Sequence, residues 1–375
     1  MATDSDIIII GGGIAGLTSA IHLAKEGLSV IVLEKSSYPK HKVCGEYISN
    51  EVLPYLNWLG VDIKESHPVA ITHFEFSTTS NTVTAKLPLG GFGLSRYALD
   101  YILYQKAVAS GCIIYQNTTV TNVVFKDDLF TITANDKQYI SKSVVGTHGK
   151  RSNIDSVLYR KFMKAKSPWL AVKAHYKGDF PDKVVALYNF KGGYCGVSKV
   201  ENDVLNICYL ANYKTFKRYK DIEAYQKNVL YKNEKLKAVL ESSSMIFEKP
   251  LTISQVNFDK KKPVENHIVM AGDTAGLIHP LCGNGMAMAM HGAKIASELL
   301  VKFHKKQISR AAMEKSYTKA WHANFGNRLA AGRLLDKLLQ HDIITNVALN
   351  SVTAFNRLLP AIIKNTHGRP IQTAS

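Results

Sequence analysis

The chain opens with an apolar pattern that predicts a strand, a helix and a second strand. Residues 7–10 are four consecutive isoleucines, and a short, wholly apolar, β-branched run is typical of a strand covered on both faces. Apolar residues then recur at helical spacing over 17–26, and Gly27 follows as a helix terminator. A largely apolar run at 28–33 predicts the second strand, so a complete βαβ unit lies within the first 34 residues.

Short apolar and alternating runs dominate the middle of the chain and predict mostly strands. We expect strands at 69–77, 82–87, 112–115, 120–125, 129–134, 137–141 and 143–146, further strands across 169–210, and a buried strand at 267–271. Helical spacing predicts helices at 97–110 and 213–240, and a mostly helical chain from residue 287 onward. The opening unit and the late strand are therefore expected to form one domain, with a β-rich part inserted between its pieces.

The composition indicates a globular protein and limits the classes of partner that it would bind. Of the 375 residues, 46% are hydrophobic and 21% are charged, which excludes a disordered or collagen-like chain. The 47 basic and 30 acidic residues give a formal net charge of +17, which favours an anionic cofactor, an anionic membrane surface or nucleic acid as partner. Acidic residues interrupt the basic ones along the chain, so a nucleic-acid-binding protein is the weakest of these hypotheses.

Cysteine usage and hydropathy bear on the compartment. The five cysteines are widely spaced and show no zinc-binding pattern, so we predict no metal site and a reducing, cytoplasmic environment. No stretch reaches about 18 apolar residues, so no membrane-spanning helix is expected. The apolar and basic segment 334–369 leaves two alternatives open: peripheral contact with the inner face of the membrane, or ordinary packing on the core.

A glycine-rich turn links the first predicted strand to the first predicted helix. The sequence Gly-Gly-Gly-Ile-Ala-Gly at 11–16 satisfies the dinucleotide-binding pattern GxGxxG. Gly11 allows a tight turn, Gly13 allows the backbone to approach a diphosphate, and Gly16 allows close helix–strand packing. Glu34 ends the second strand, where its carboxylate can accept hydrogen bonds from ribose hydroxyl groups. The unit therefore predicts a bound dinucleotide; the alternative is a glycine-rich turn without a ligand.

A second segment, far along the chain, supplies a complementary pattern. The strand at 267–271 leads into Gly272 and Asp273, and a turn rich in proline and glycine then leads into a helix. Asp273 is suited to bind a ribityl hydroxyl group, and the amides of 283–286 are suited to face a flavin pyrimidine or a diphosphate. The alternative is a structural turn between a strand and a helix.

Together the two motifs resemble the FAD-binding architecture of the para-hydroxybenzoate hydroxylase superfamily. This superfamily includes aromatic monooxygenases, geranylgeranyl reductases and flavin-dependent halogenases. The resemblance extends from residue 6 to about 296 and includes three further segments: Lys42–Glu46, 93–100 with Arg96 near the flavin side chain, and 145–152, where His148 stands in place of the family's acidic residue. The aromatic segments typical of the halogenases and the reductases are missing, so the subfamily stays open.

The resemblance implies an α/β fold with a Rossmann-like, glutathione-reductase-type FAD-binding domain, an inserted mixed β-sheet substrate domain and C-terminal helices. The expected ranges are 1–70, 93–155 and 266–300 for the FAD-binding domain, 71–92 and 156–265 for the β-rich substrate domain, and 301–375 for the helical segment. It also implies noncovalent FAD, with NADH or NADPH as a candidate external reductant.

The residues predicted to bind the cofactor follow from these segments. They are Gly11, Gly13, Ile14, Ala15, Gly16, Glu34, Lys35, Cys44, Gly45, Arg96, Gly272, Asp273, Pro280, Gly283, Gly285 and Met286. The catalytic residues stay unknown. The weak candidates are His279 beside the flavin, Tyr194 at a substrate wall and Cys44 as a redox thiol, and each has a purely structural alternative as a hydrogen-bonded or packed side chain.

The resemblance implies an FAD-dependent oxidoreductase. The first hypothesis is a monooxygenase that hydroxylates a hydrophobic, aromatic or polyketide-like substrate through a flavin C4a-hydroperoxide. The second is a geranylgeranyl-reductase-like enzyme that reduces double bonds of prenyl or lipid substrates. Both hypotheses imply a hydrophobic small molecule or a lipid as partner.

Overall fold

A computed structural model describes residues 4–79, 81–219, 221–339 and 368–373. In these ranges the strands are β1 (Ser5–Ile10), β2 (Val30–Leu33), β3 (Tyr47–Ser49), β4 (Val69–Ser77), β5 (Thr82–Gly93), β6 (Ile113–Tyr115), β7 (Val120–Lys126), β8 (Leu129–Ala134), β9 (Lys137–Gly146), β10 (Trp169–Lys177), β11 (Val184–Phe190), β12 (Gly193–Val200), β13 (Val204–Asn212), β14 (Ser244–Met245), β15 (Leu251–Ser254), β16 (Val264–Glu265) and β17 (Ile268–Met270). The α-helices are α1 (Ile14–Lys25), α2 (Leu53–Trp58), α3 (Arg96–Ala109), α4 (Asn153–Val157), α5 (Tyr213–Lys217), α6 (Ile222–Asn228), α7 (Glu234–Glu241), α8 (Gly285–His304) and α9 (Arg310–Leu339).

The first sheet has parallel strands at its centre, which confirms the α/β prediction. β1 lies between β2 and β9 and runs parallel to both, and β6 and β17 extend the sheet on either side. The four isoleucines of β1 are at most 4% exposed, because apolar side chains of α1, α3 and α8 share one core with them. This burial on both faces explains why the first strand is apolar at consecutive positions.

The second sheet is mixed and covers a separate core. β10, β13, β12 and β11 are antiparallel neighbours, and β11 pairs in parallel with β4, which continues to β5 and β3. One face packs on α6 and α7 through Tyr225, Leu236 and Leu240. The other face carries Trp169 and Tyr194, which share a small apolar cluster with residues that follow β17. This second face is therefore turned toward the late strand of the first sheet.

The basic segment at 213–240 was expected to form one helix, and this prediction is wrong. The structure divides it into α5, α6 and α7. The carboxylate of Asp221 accepts a hydrogen bond from the backbone N–H of Ala224, and the amide oxygen of Asn233 accepts one from Leu236. Each side chain thus caps the start of a new helix, which is the arrangement that Asp and Asn favour.

Two strands also differ from the prediction. The strands expected at 137–141 and 143–146 form one strand, β9, and the buried hydroxyl of Ser141 is satisfied locally by the carbonyl of Ser143 at 2.9 Å. β3, within the range expected for the FAD-binding domain, pairs with β5 of the second sheet. Gly91 permits this close pairing, because a Cβ atom there would lie 2.4 Å from the Tyr47 ring.

The described helices bear on two predictions, that of no membrane-spanning helix and that of a helical segment at 301–375. None of those in the ranges given above combines the length and the hydropathy that a membrane span requires. α9 covers the described helical part of 301–375, together with the end of α8. Most of the apolar and basic segment predicted at 334–369 lies outside the described residues.

Candidate functional site

The glycine-rich turn is held by tight contacts at its two outer glycines. Gly11 has φ +102°, and a Cβ atom there would lie 2.6 Å from the carbonyl oxygen of Thr147. A Cβ atom on Gly16 would lie 2.0 Å from the carbonyl oxygen of Gly11 and 2.7 Å from Thr147 Oγ1. The Thr147 hydroxyl donates to the Gly11 carbonyl at 2.6 Å. These two glycines therefore serve the close packing of β1, α1 and the end of β9.

Gly13 faces free volume with two cations at its edge. The nearest atoms to a Cβ built there are Arg96 Nη2 at 3.9 Å and Lys42 Nζ at 4.0 Å. Gly13 is the N-cap residue of α1, whose first turn begins with the buried Ile14 and Ala15 and carries no acidic residue. A helix N-terminus with unpaired N–H groups and two neighbouring cations is a favourable position for a diphosphate.

Asp100 holds both cations in place. Its carboxylate accepts hydrogen bonds from Arg96 Nε at 2.7 Å, from Arg96 Nη2 at 2.8 Å and from Lys42 Nζ at 2.8 Å. Burial opposes ionisation of Asp100, but the two cations outweigh burial and hold the pKa of this carboxyl below its usual value. The sequence analysis missed Asp100, although its i, i+4 spacing from Arg96 on α3 is the signal that would have found it.

Glu34 lies at the expected place, at the end of β2, and binds the glycine-rich turn. Its carboxylate accepts from the backbone N–H of Gly12 at 2.7 Å and from that of Ser36 at 2.9 Å. Tyr38, which the sequence analysis missed, donates from its hydroxyl group to the Gly12 carbonyl. The contact of Glu34 with a ribose stays a prediction, as does any role of Lys35, which is exposed at the surface.

The late segment lies against the start of α1. Gly272 has φ +63°, and a Cβ atom there would lie 3.1 Å from Ala15 Cβ. Two basic side chains bind backbone carbonyl groups of this segment. Lys261 Nζ donates to the Asp273 carbonyl at 2.8 Å, and Arg160 Nη1 donates to the Thr274 carbonyl at 2.9 Å. Sequence reasoning missed both, because a backbone carbonyl that accepts a side-chain hydrogen bond leaves no pattern in the sequence.

The remaining predicted contacts meet at the start of α8. Cys44 Sγ lies 3.7 Å from Met286 Sδ, so the Cys44-Gly45 segment and the first turn of α8 are neighbours. A Cβ atom on Gly45 would have nothing within 4 Å, and one on Gly285 would first meet Ile278 at 3.6 Å. Gly283, with φ +62°, closes the turn of residues 280–282, in which Pro280 is exposed.

Two free spaces lie among the predicted residues. Arg96 and Lys42 place two cations beside the free space at Gly13, and Gly45 borders a second free space near Met286 at the start of α8. The open space at Gly13 and Gly45 contrasts with the close packing at Gly11 and Gly16. The free space and the two cations at the N-terminus of α1 fit the requirements of the FAD diphosphate; the position of the flavin ring stays a prediction.

His279 and Tyr194 belong to a buried aromatic group on the second sheet's inner face. The His279 ring centroid lies 4.7 Å from that of Phe258, 5.8 Å from that of Tyr194 and 6.5 Å from that of Trp169. Burial lowers the pKa of His279 to about 3, so its ring is neutral at physiological pH. His279 is therefore a poor proton acceptor, and the group as a whole offers an apolar, aromatic surface.

His148 stands where the family resemblance places an acidic residue. Its Nε2 atom pairs with Asp155 Oδ1 at 3.1 Å, and Arg160 Nη1 donates to the same oxygen at 2.9 Å. Burial lowers the pKa of His148 against the opposing effect of Asp155. A carboxylate is thus present beside this position, but it comes from α4 rather than from the motif itself.

Comparison with known proteins agrees with this geometry. A family model described as "FAD dependent oxidoreductase" matches residues 6–43. Conditioned medium factor receptor 1 of Dictyostelium discoideum is 26% identical over 369 residues, covering 89% of this chain and 70% of that protein. Digeranylgeranylglycerophospholipid reductase 1 of Methanothermobacter thermautotrophicus is 24% identical, covering 80% of this chain and 77% of that protein.

Solved structures share the fold at low identity. A geranylgeranyl bacteriochlorophyll reductase-like protein from Thermoplasma acidophilum superposes with a TM-score of 0.78 at 18% identity, covering 96% of this chain and 95% of that one. The flavin-dependent halogenase CmlS superposes with a TM-score of 0.72 at 19% identity, covering 88% of this chain. The match spans 64% of the CmlS chain, which is less than two thirds of its length.

Proposed function

Because the chain belongs to the FAD-dependent oxidoreductase superfamily, we propose that it reduces a carbon–carbon double bond of an extended, apolar substrate. The observation that carries this proposal is the buried aromatic group around His279, on the face of the second sheet turned toward the flavin-binding segments. Bound FAD supplies the hydride equivalent, so the protein's part is to bind, orient and exclude water.

The cofactor-binding residues have distinct tasks. The N–H groups at the start of α1 bind the diphosphate, with Arg96 and Lys42 beside them. Lys261 and Arg160 bind the backbone carbonyl groups of Asp273 and Thr274, and the Asp273 carboxylate would accept a hydrogen bond from the ribityl chain. These contacts are noncovalent.

The aromatic group determines the class of substrate. Trp169, Tyr194 and Phe258 are each at most 5% exposed, and His279 among them is uncharged. An apolar chain loses no hydrogen bonds on entering such surroundings, whereas a charged group would pay a large desolvation cost. Relatives named digeranylgeranylglycerophospholipid reductase, which align over most of this chain, support a prenyl-like chain as substrate.

Hydroxylation of an aromatic ring is a second candidate function. It is favoured by polar residues further along β10: Lys173 and His175 lie on the same strand face as Trp169, because they are separated from it by even numbers of residues. Both side chains are buried and bound to Glu46, so they make this end of the strand polar without themselves contacting solvent. The halogenase among the structural neighbours is consistent with oxygen-dependent chemistry on this fold.

One experiment separates the two functions without knowledge of the natural electron donor. The purified flavoprotein is reduced with dithionite without oxygen and mixed with geranylgeraniol. Our proposal expects the flavin to be re-oxidised and a product two hydrogens heavier to form. If the alkene leaves the flavin reduced, while an alkyl-substituted phenol and oxygen yield a hydroxylated product, the reductase is refuted and the monooxygenase supported.

A further inference from the structure

A buried ionic cluster joins the cofactor-binding loop to the second sheet. Glu46 Oε1 accepts from Lys173 Nζ at 2.8 Å, and Glu46 Oε2 pairs with His175 Nε2 at 2.7 Å. The backbone N–H of Arg96, at the start of α3, donates to Glu46 Oε1 at 2.8 Å. The side chains of Glu46 and Lys173 are both 0% exposed. Of the cofactor-site residues described above, only Arg96 takes part in this cluster, through its backbone N–H group.

A metal site is the first alternative. One ligand atom from each of His41, Glu46 and His175 lies within 4.8 Å of the others. The Lys173 ammonium group, however, already neutralises the carboxylate and would repel a divalent cation at close range. We therefore interpret the cluster as an ion pair within a hydrogen-bond network.

The conformation of Glu46 shows that its side chain determines the local backbone. Glu46 has φ +54°, which lies in the left-handed region that residues other than glycine rarely adopt. Burial opposes its ionisation, but the hydrogen bond from His175 and the charge of Lys173 hold its pKa below the usual value. A charged carboxylate with three donors therefore fixes a backbone conformation that the chain would otherwise avoid.

The position of Glu46 connects the two halves of the cofactor site with the substrate face. It directly follows Gly45, which borders the open volume near the start of α8. Its bond to the Arg96 backbone fixes the residue whose guanidinium group lies beside Gly13. Its partners Lys173 and His175 lie on the face of β10 that also carries Trp169. A shift of Glu46 would thus move Gly45 and Arg96 relative to the second sheet.

We propose that Glu46 is a positioning residue, which through Lys173 and His175 sets the flavin-binding loop at a fixed distance from the substrate-bearing face of the second sheet. The proposal rests on the FAD site described above. It does not depend on whether the reaction is a reduction or a hydroxylation, since both need the flavin ring at a fixed distance from the aromatic group.

The test compares Lys173→Met with Lys235→Met in the full-length flavoprotein. Both variants remove an ammonium group that pairs with a carboxylate, but the Lys235 side chain is 46% exposed and pairs with Glu75 of β4, away from the cofactor-binding loop. Readouts are the dissociation constant of FAD, the visible absorption spectrum and the midpoint potential of the bound flavin. These need no substrate, so a failure of the proposed reductase activity leaves them interpretable.

We expect Lys173→Met to weaken FAD binding at least tenfold and to change both the spectrum and the potential, with Lys235→Met unchanged. Glu46→Asp keeps the charge but shortens the side chain by one methylene group, so it should fold and change the spectrum in the same direction. The double variant Glu46→Gln/Lys173→Met leaves no buried charge unpaired. It should regain thermal stability but keep the altered spectrum.

Two results would overturn the proposal. If Lys173→Met and Glu46→Asp lower only the melting temperature, and bind FAD with the original affinity, spectrum and potential, the cluster serves stability alone. If Lys235→Met changes the flavin to the same extent as Lys173→Met, the effect does not belong to Glu46.

Discussion

Substitution of Gly13 by valine separates cofactor binding from folding. Gly13 has φ −82° and ψ −173°, an extended conformation that valine adopts without strain. Its Cβ atom would lie 3.9 Å from Arg96 Nη2 and 4.0 Å from Lys42 Nζ, which are ordinary contact distances. The apoprotein should therefore fold. The two methyl groups would, however, fill the space in front of the α1 N-terminus, where the diphosphate binds.

The expected loss of affinity is large. Displaced phosphate oxygens would lose several charge-assisted hydrogen bonds, each worth roughly 1.5–3 kcal/mol. The loss of only two such bonds, about 4 kcal/mol, corresponds to a decrease in affinity of about a thousandfold. FAD fluorescence quenching gives the dissociation constant, and circular dichroism with thermal melting reports the fold. Gly13→Ala, which adds a single methyl group, should bind FAD with an affinity between those of the unsubstituted protein and Gly13→Val.

Gly11→Ala is the contrasting variant. Its Cβ atom would lie 2.6 Å from the Thr147 carbonyl oxygen at φ +102°, so strain and overlap should lower the free energy of unfolding by at least about 2 kcal/mol. A folded Gly13→Val protein with normal flavin content would refute the assignment of the diphosphate position. A Gly13→Val protein as unstable as Gly11→Ala would refute the claim that this space is free.

Three further outcomes follow from the structure. Lys261→Met should weaken FAD binding about tenfold in fluorescence titrations, because the Asp273 backbone loses one of its two rear supports; unchanged affinity would show that Arg160 suffices. Burial lowers the pKa of His279 to about 3 in the folded protein, whereas a histidine in the unfolded chain has a pKa of about 6.5. As pH falls, the unfolded chain therefore binds this proton first. The contribution of His279 to stability is present above about pH 6.5 and is lost below it by up to about 1.4 kcal/mol per pH unit. The chemical denaturation midpoint should therefore decrease less between pH 7 and pH 5 in His279→Phe than in the unsubstituted protein. An equal decrease in both proteins would contradict the burial of a neutral ring. The net charge of +17 predicts salt-sensitive co-sedimentation with anionic but not neutral vesicles, and no binding at low salt would end the idea of peripheral membrane contact.

Local sequence patterns accounted for the FAD-binding framework. The isoleucines of β1, the glycines at 11–16 and the strand before Gly272 each depend on near neighbours, through burial on two faces or through a tight turn. Such features can be predicted from the sequence because the residues that cause them lie within a few positions of one another. The prediction of a single helix at 213–240 was wrong because it relied on the helical spacing of apolar residues. It gave too little weight to Asp221 and Asn233, which cap the starts of separate helices.

The residues that support the site were missed because nothing in the local sequence marks their partners. Lys261 and Arg160 bind carbonyl groups, which carry no sequence signal, and Glu46 meets Lys173 across 127 positions. The same limit applies to the reaction. The aromatic group at His279 assembles Trp169, Tyr194 and Phe258 from different parts of the chain, so the polarity of the substrate face becomes visible only in the fold. β10 carries Trp169 at an apolar end and Lys173, paired with Glu46, at an ionic end; if the proposed function holds, this polarity orients the substrate relative to the flavin.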